Sequence, residues 1–206
     1  MGLLEEFPGL KHRISVEAYH RMGDAGVFLP DARVELIEGE IFDMAPIGSR
    51  HASVVNRLNS MFVPALGPTA IVQVQGPVRL GDLSEPEPDI ALLKPRADYY
   101  RDALPGAADV LLIIEVADST QRLDRRVKVP LYARHGVPEV WVIDLENALV
   151  HFHRQPDNGS YADISATGHP AVTPIAALHG IAIPSYLGIP VDPKMNADVQ
   201  VDLVDG

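Results

Sequence analysis

Val110-Leu111-Leu112-Ile113-Ile114-Glu115-Val116 is the stretch on which the reading of the fold turns. A strand with one wet face alternates apolar and polar residues. A run that is apolar at nearly every position predicts a central strand covered on both faces. The exception is Glu115, set between Ile114 and Val116. An ionised carboxylate in such surroundings is costly unless it pairs with a cation, binds a metal or lies at a strand end facing a cleft. Two readings stand side by side. One is a structural ion pair with a nearby arginine; the other is a functional acid.

Working outward from this strand, Thr120 to His135 is helical in pattern, with Leu123, Val127 and Leu131 on one face and Gly136 as its stop. Pro130 lies inside it and should kink or divide it. Glu139 to Ile143 reads as a second buried strand, carrying the only tryptophan, Trp141. Ala148 to Arg154 and Tyr161 to Ile164 should pair across Pro156-Asp157-Asn158-Gly159. Upstream, Asp89 to Leu93 is a short strand behind the acidic, proline-rich loop Asp82 to Pro88. Ala70 to Leu80 alternates in the strand manner, with a break or bulge at Gly76-Pro77. Ser49 starts an amphipathic helix with Val54, Val55, Leu58, Met61 and Phe62 on one side, ended by Gly67-Pro68. Val34 to Ile37 and Glu40 to Met44 form a hairpin across Glu38-Gly39. Ile14 to Met22 is a short helix with Ser15 as N-cap, stopped by Gly23 and Gly26. The sum is an α/β chain of mixed α+β type, a central mixed β-sheet flanked by helices. One domain is expected over residues 1–190, followed by a polar C-terminal tail over 191–206.

Composition bounds the function. The chain has 206 residues, 47% hydrophobic and 22% charged, which is globular composition and excludes wholesale disorder. The longest aliphatic run, Val110 to Ile114, is far short of a membrane span. The N-terminus lacks the apolar core of a signal peptide. Zero cysteines exclude a disulfide framework and any cysteine–zinc site, and agree with a cytoplasmic location. With 17 basic and 28 acidic residues the net charge is −11. Such a chain does not attract nucleic acid through its overall field. A nucleic-acid binder of this sign needs a local basic patch, a bridging cation, or both.

Several residues stand out against this background. Pro88-Asp89 opens a strand after the acidic loop, Glu115 interrupts the aliphatic run, and Lys128 follows on the next helix. Asp124 and Lys128 are four apart, so a plain helical salt bridge is one account of the lysine. His51 could approach a metal or shuttle a proton, or it could cap its helix. Glu38 and Glu40 flank the hairpin turn and read as solvated. His151 and His153 alternate on a strand and share a side; without a third ligand they read as an exposed face rather than a metal pair. Arg122, Arg125, Arg126 and Arg134 form a basic helix, either a contact for a DNA backbone or a solvated face.

Taken in order, Glu35-Leu36-Ile37-Glu38-Gly39-Glu40, His51, Pro88-Asp89, Ile114-Glu115-Val116 with Ser119, Thr120, Asp124, Lys128 and Tyr132, and Gly136 through Asp144 resemble the Uma2 family. These are restriction-endonuclease-like proteins of the PD-(D/E)XK nuclease superfamily. The resemblance runs from about residue 14 to about residue 190. It implies a restriction-endonuclease-like fold with the active site where two central strands diverge. It implies Asp89, Glu115 and the backbone carbonyl of Val116 as ligands of Mg²⁺ or Mn²⁺, with Glu35 as a further acid. The commonest superfamily pattern has a lysine two residues after the glutamate; here that position is Ala117, a departure. Lys128 is then the lysine that has moved to the following helix. The expected function is metal-dependent endonucleolytic hydrolysis of DNA, with Arg122, Arg125 and Arg126 at the DNA backbone and His51 as an accessory residue. The alternatives are an inactive nuclease-fold protein binding nucleic acid or a protein partner, and a hydrolase of another phosphate ester. DNA is the expected partner, a homodimer is left open, and no membrane is expected.

Overall fold

The computed structural model describes residues 11–117 and 124–168, without the side chains of Asp124 and Arg125. The proposed tail over 191–206 lies outside the described residues. Helix α1 (Val16–Asp24) opens on Ser15, whose hydroxyl accepts from the Ala18 amide at 3.2 Å. Strands β1 (Val34–Ile37) and β2 (Glu40–Asp43) form a separate antiparallel pair. Their two-residue turn puts Glu38 and Gly39 at φ 51° and 80°. Both values are left-handed, as a turn matching the twist of the strands requires. A Cβ on Gly39 would stand 2.6 Å from Arg13 Cβ, so glycine is needed there for space as well.

Helix α2 (Ser49–Leu66) leads through a short 3₁₀ turn (Gly67–Thr69) to β3 (Ile71–Val74) and β4 (Ile90–Leu93). After β5 (Val110–Ala117) comes a wide helical turn (Asp124–Lys128), then α3 (Val129–Arg134), β6 (Glu139–Asp144), β7 (Leu149–Asp157) and β8 (Ser160–Thr167). The six strands β3 to β8 lie side by side in chain order. Only the β5–β6 pair is parallel; the other neighbours are antiparallel. The sheet is therefore mixed, as the sequence predicts, and among the described strands its one crossover lies between β5 and β6.

Alternation along the central strands sends side chains to two cores. On one face Ile90, Leu92, Leu112, Ile114, Val116, Trp141 and Ile143 pack under Val54, Val55, Leu58 and Phe62 of α2. On the other, Ala91, Leu93, Ile113, Ala117, Val140 and Val142 pack under Val129, Leu131, Tyr132 and Ala133 of α3. Covering both faces explains why β5 and β6 are apolar at nearly every position. Glu115 belongs by alternation to the α3 face. Among the described residues no helix is long and apolar enough to cross a membrane.

Several boundaries differ from expectation. The strand read over Ala70 to Leu80 ends at Val74, because Gln75 is left-handed at φ 47° and Gly76-Pro77 follows. The helix expected over Thr120 to His135 is, in its described part, a wide turn followed by one short α-helix. Pro130 near the start of α3 accounts for the break, since it lacks an amide proton and its ring crowds the preceding turn. The β7–β8 turn is tighter than read: Pro156 pairs with Tyr161 inside the ladder, and Asn158-Gly159 alone make the turn.

Candidate active site

The ends of β3, β4 and β5 meet at one edge of the sheet. The β3–β4 register pairs Val74 with Ile90, and the β4–β5 register pairs Ile90 with Ile114. One step further along, Gln75 stands beside Asp89 and Asp89 beside Glu115. The Gln75 amide donates to the Asp89 carbonyl at 3.0 Å, which closes that step of the ladder.

Asp89 is held by three donors. Its Oδ2 accepts from the Val116 amide at 2.8 Å and from His51 Nε2 at 3.0 Å. Its Oδ1 meets the Gln75 side-chain amide at 3.5 Å. His51 comes from the first turn of α2, so the helix packed on one face delivers a ring to the strand ends. Next to it, Arg50 donates to the Leu145 carbonyl just past β6.

Glu115 points to the face covered by α3. Lys128 Nζ lies 3.4 Å from Glu115 Oε1 and 3.0 Å from Glu35 Oε2. The Tyr132 hydroxyl donates to the same Glu115 Oε1 at 2.6 Å. Glu35 Oε2 also accepts from the Glu87 amide at 3.1 Å. Glu35 and Glu115 are each 2% exposed and Lys128 is 4% exposed, so the ion pairs are shielded from solvent. The cation beside Glu115 is this lysine, where the sequence had suggested an arginine. The acids extend along the loop before β4: burial pushes the Tyr19 phenol up, and Glu85, Glu87 and Glu35 push it further the same way.

The residues singled out in the sequence divide into those that meet at this site, those placed elsewhere and those outside the described residues. Glu35, Glu115 and Lys128 come together, and Asp89 with His51 sits one backbone step away at Val116. The side chain of Arg122, the side chain of Arg125 and any Asp124–Lys128 pair lie outside the described residues. Arg126 is exposed. Arg134 is turned to Glu38 of the hairpin at 2.8 Å. Glu40 is exposed and pairs with Lys11 at 3.0 Å. His151 and His153 are half-buried rather than exposed, a correction that follows from α3 packing against β7 and β8. The His153 ring lies tilted against Tyr161, with the ring centres 5.8 Å apart.

Tyr132 enters from the sequence only as part of the family resemblance, without a role; it stands four after Lys128, a spacing that could have suggested one. Gln75 was not singled out at all. Gln75 looked like one polar member of an alternating strand; only the Gly76-Pro77 that follows hints at its special backbone.

The donor set suits a hard cation, which takes oxygen ligands. Carboxylates and a backbone carbonyl are at hand, cysteine is absent, and Asp89 Oδ1 keeps only a long contact. No group of three or more His, Asp or Glu side chains among the described residues is arranged to hold an ion.

Comparisons with known proteins bear on the family and the fold. The Uma2 family model, described as "Putative restriction endonuclease", matches residues 16–187. A solved structure described as a putative nuclease belonging to DUF820 from Anabaena variabilis ATCC 29413 superposes with a TM-score of 0.62. It is 19% identical, over 80% of this chain and 90% of that one, and so supports the fold. No curated protein matches the chain.

Proposed function

Since the chain belongs to the Uma2 family, we propose that it is a divalent-metal-dependent endonuclease acting on DNA. One observation carries the reading: a buried lysine clamped between Glu35 and Glu115, one backbone step from the amide that anchors Asp89. A protein seldom places this many charges out of water without a use for them, because desolvation offsets most of their attraction.

In this reading Asp89, Glu115 and the Val116 carbonyl hold Mg²⁺ or Mn²⁺. When bound, the ion supplies an activated water and neutralises phosphate charge. The chain's own residues do the rest. His51 and the Val116 amide fix the Asp89 carboxylate from one side. Tyr132 fixes Glu115 from the other. Lys128 stands in for the lysine absent at Ala117; its ammonium would orient the attacking water or stabilise developing negative charge. Glu35 holds Lys128 in place. A cytoplasmic setting agrees with the absence of cysteine.

The test is a nuclease assay on DNA with Mg²⁺ or Mn²⁺, comparing the protein with its Asp89→Ala and Lys128→Met variants. Each variant should lose about a hundredfold or more in rate. Cleavage by Asp89→Ala at the parent rate would remove Asp89 from the site. A second reading, an inactive binding protein, draws on Glu115 Oε1 being shared by Lys128 and Tyr132. It would be supported by DNA binding without cleavage under any divalent ion.

A further inference from the structure

Gln75 occupies a backbone conformation that its side chain disfavours. At φ 47° it is left-handed, where a Cβ crowds the backbone and glycine is at ease. Glycine is not scarce at this bend, since Gly76 comes next. A non-glycine residue in such a place persists where its surroundings hold it there.

The surroundings show what holds Gln75. The left-handed turn ends β3 and swings Gln75 out of the alternation that runs through Gln73 and Val74. Its backbone amide donates to the Asp89 carbonyl at 3.0 Å, so Gln75 is tied to Asp89 through the main chain. Its side-chain amide then reaches Asp89 Oδ1 at 3.5 Å. This is the oxygen that the Val116 amide and His51 leave alone, since both bind Oδ2. The bend is propped from behind: Gln73 Nε2 donates to the Pro77 carbonyl at 3.1 Å, and its side chain lies against Gly76. One carboxylate is thus gripped on Oδ2 by two donors and steered on Oδ1 by a third from a strained residue.

We propose that Gln75 is a positioning residue that sets the rotation of the Asp89 carboxylate and so aims Oδ1 at the ion. The inference rests on the reading of Asp89 as a metal ligand. A donor that orients a ligating carboxylate typically governs metal affinity by about ten- to a hundredfold. The contact here is long, which places the effect at the lower end.

Strain and steering separate cleanly by substitution. Gln75→Gly removes the side chain and suits the left-handed backbone. Gln75→Asn also tolerates that backbone, but its shorter side chain falls short of Oδ1. The full chain and both variants are compared by thermal unfolding without metal and by calorimetric titration with Ca²⁺, which measures binding without catalysis. Asp89→Asn serves as the control. Both Gln75 variants should unfold at the parent temperature or higher and bind Ca²⁺ about tenfold more weakly. Unchanged Ca²⁺ affinity in Gln75→Gly, with Asp89→Asn impaired, would overturn the positioning role alone. A lower unfolding temperature in Gln75→Gly would make the side chain structural and overturn it equally. Parent-like Ca²⁺ binding by Asp89→Asn, or no binding by the parent, would overturn the reading of Asp89 and this inference with it.

Discussion

Lys128 brings a charge to a place that solvent barely reaches, and two carboxylates meet it there. The arrangement is one cation between two anions. Removing the cation would leave Glu35 and Glu115 buried, like-charged and facing one another. Breaking a buried pair in this way costs about 3–5 kcal/mol, far more than an exposed pair contributes. Lys128→Met should therefore lower the unfolding free energy by about that amount in urea titrations. Adding Glu115→Gln to it should restore part of the loss, because one uncompensated charge goes. A single variant within about 0.5 kcal/mol of the parent would mean that the three groups are not ionised together. Glu115 was legible in the sequence because a lone acid among aliphatics is conspicuous. Its partners were harder to place: Lys128 ends the wide turn and Tyr132 lies on α3, and a helix broken at Pro130 does not keep one continuous face.

At the scale of elements, β8 is the outer strand of the sheet among the described residues, and the Tyr161 side chain ties it to the interior. The Tyr161 hydroxyl donates to the Val137 carbonyl, in the connection between α3 and β6, at 2.9 Å. Burial pushes this phenol well above its usual value of 10.0. The folded chain thus keeps Tyr161 neutral where the unfolded chain would ionise it. The contribution to stability is complete below the unfolded value and is lost as the pH rises past it. Unfolding free energy should fall as the pH rises above about 10, and keep falling up to the raised folded value. Tyr161→Phe should flatten that decline while costing about 1 kcal/mol near neutrality through the lost hydrogen bond. An equal slope in parent and variant would mean that Tyr161 is not a source of it. The hairpins at Glu38-Gly39 and Asn158-Gly159 were readable because their backbone angles are a local matter of residue type. Where β3 ends was not. Alternation continued on paper past Val74, while the chain turned at Gln75 to meet Asp89.

The whole molecule carries a net charge of −11, and its proposed substrate is a polyanion. Long-range repulsion must then be overcome at contact range, by an ion bridging acid to phosphate and by local arginines. Arg126 is exposed beside the wide turn that leads to Lys128. DNA binding measured with Ca²⁺ should need the ion and disappear in EDTA. It should weaken more on Arg126→Glu than on Arg21→Glu, which reverses an exposed arginine at the end of α1. Equal losses from the two variants would mean that net charge alone matters.

What the sequence determined by itself was the set of elements and their broad arrangement. The apolar runs of β5 and β6 demanded cover on both faces, and the helical spacing in α2 supplied one cover. These inferences hold because burial and backbone preference act over a few neighbouring residues. The site was decided by the tertiary structure. Glu35 stands on a hairpin, Lys128 and Tyr132 on a broken helix, His51 on a helix packed against the other face, and Gln75 at a strand end. Only register and packing bring these side chains within hydrogen-bond distance. A carboxylate's partners depend on a few ångströms of placement between segments far apart in the chain, and no local pattern encodes such distances.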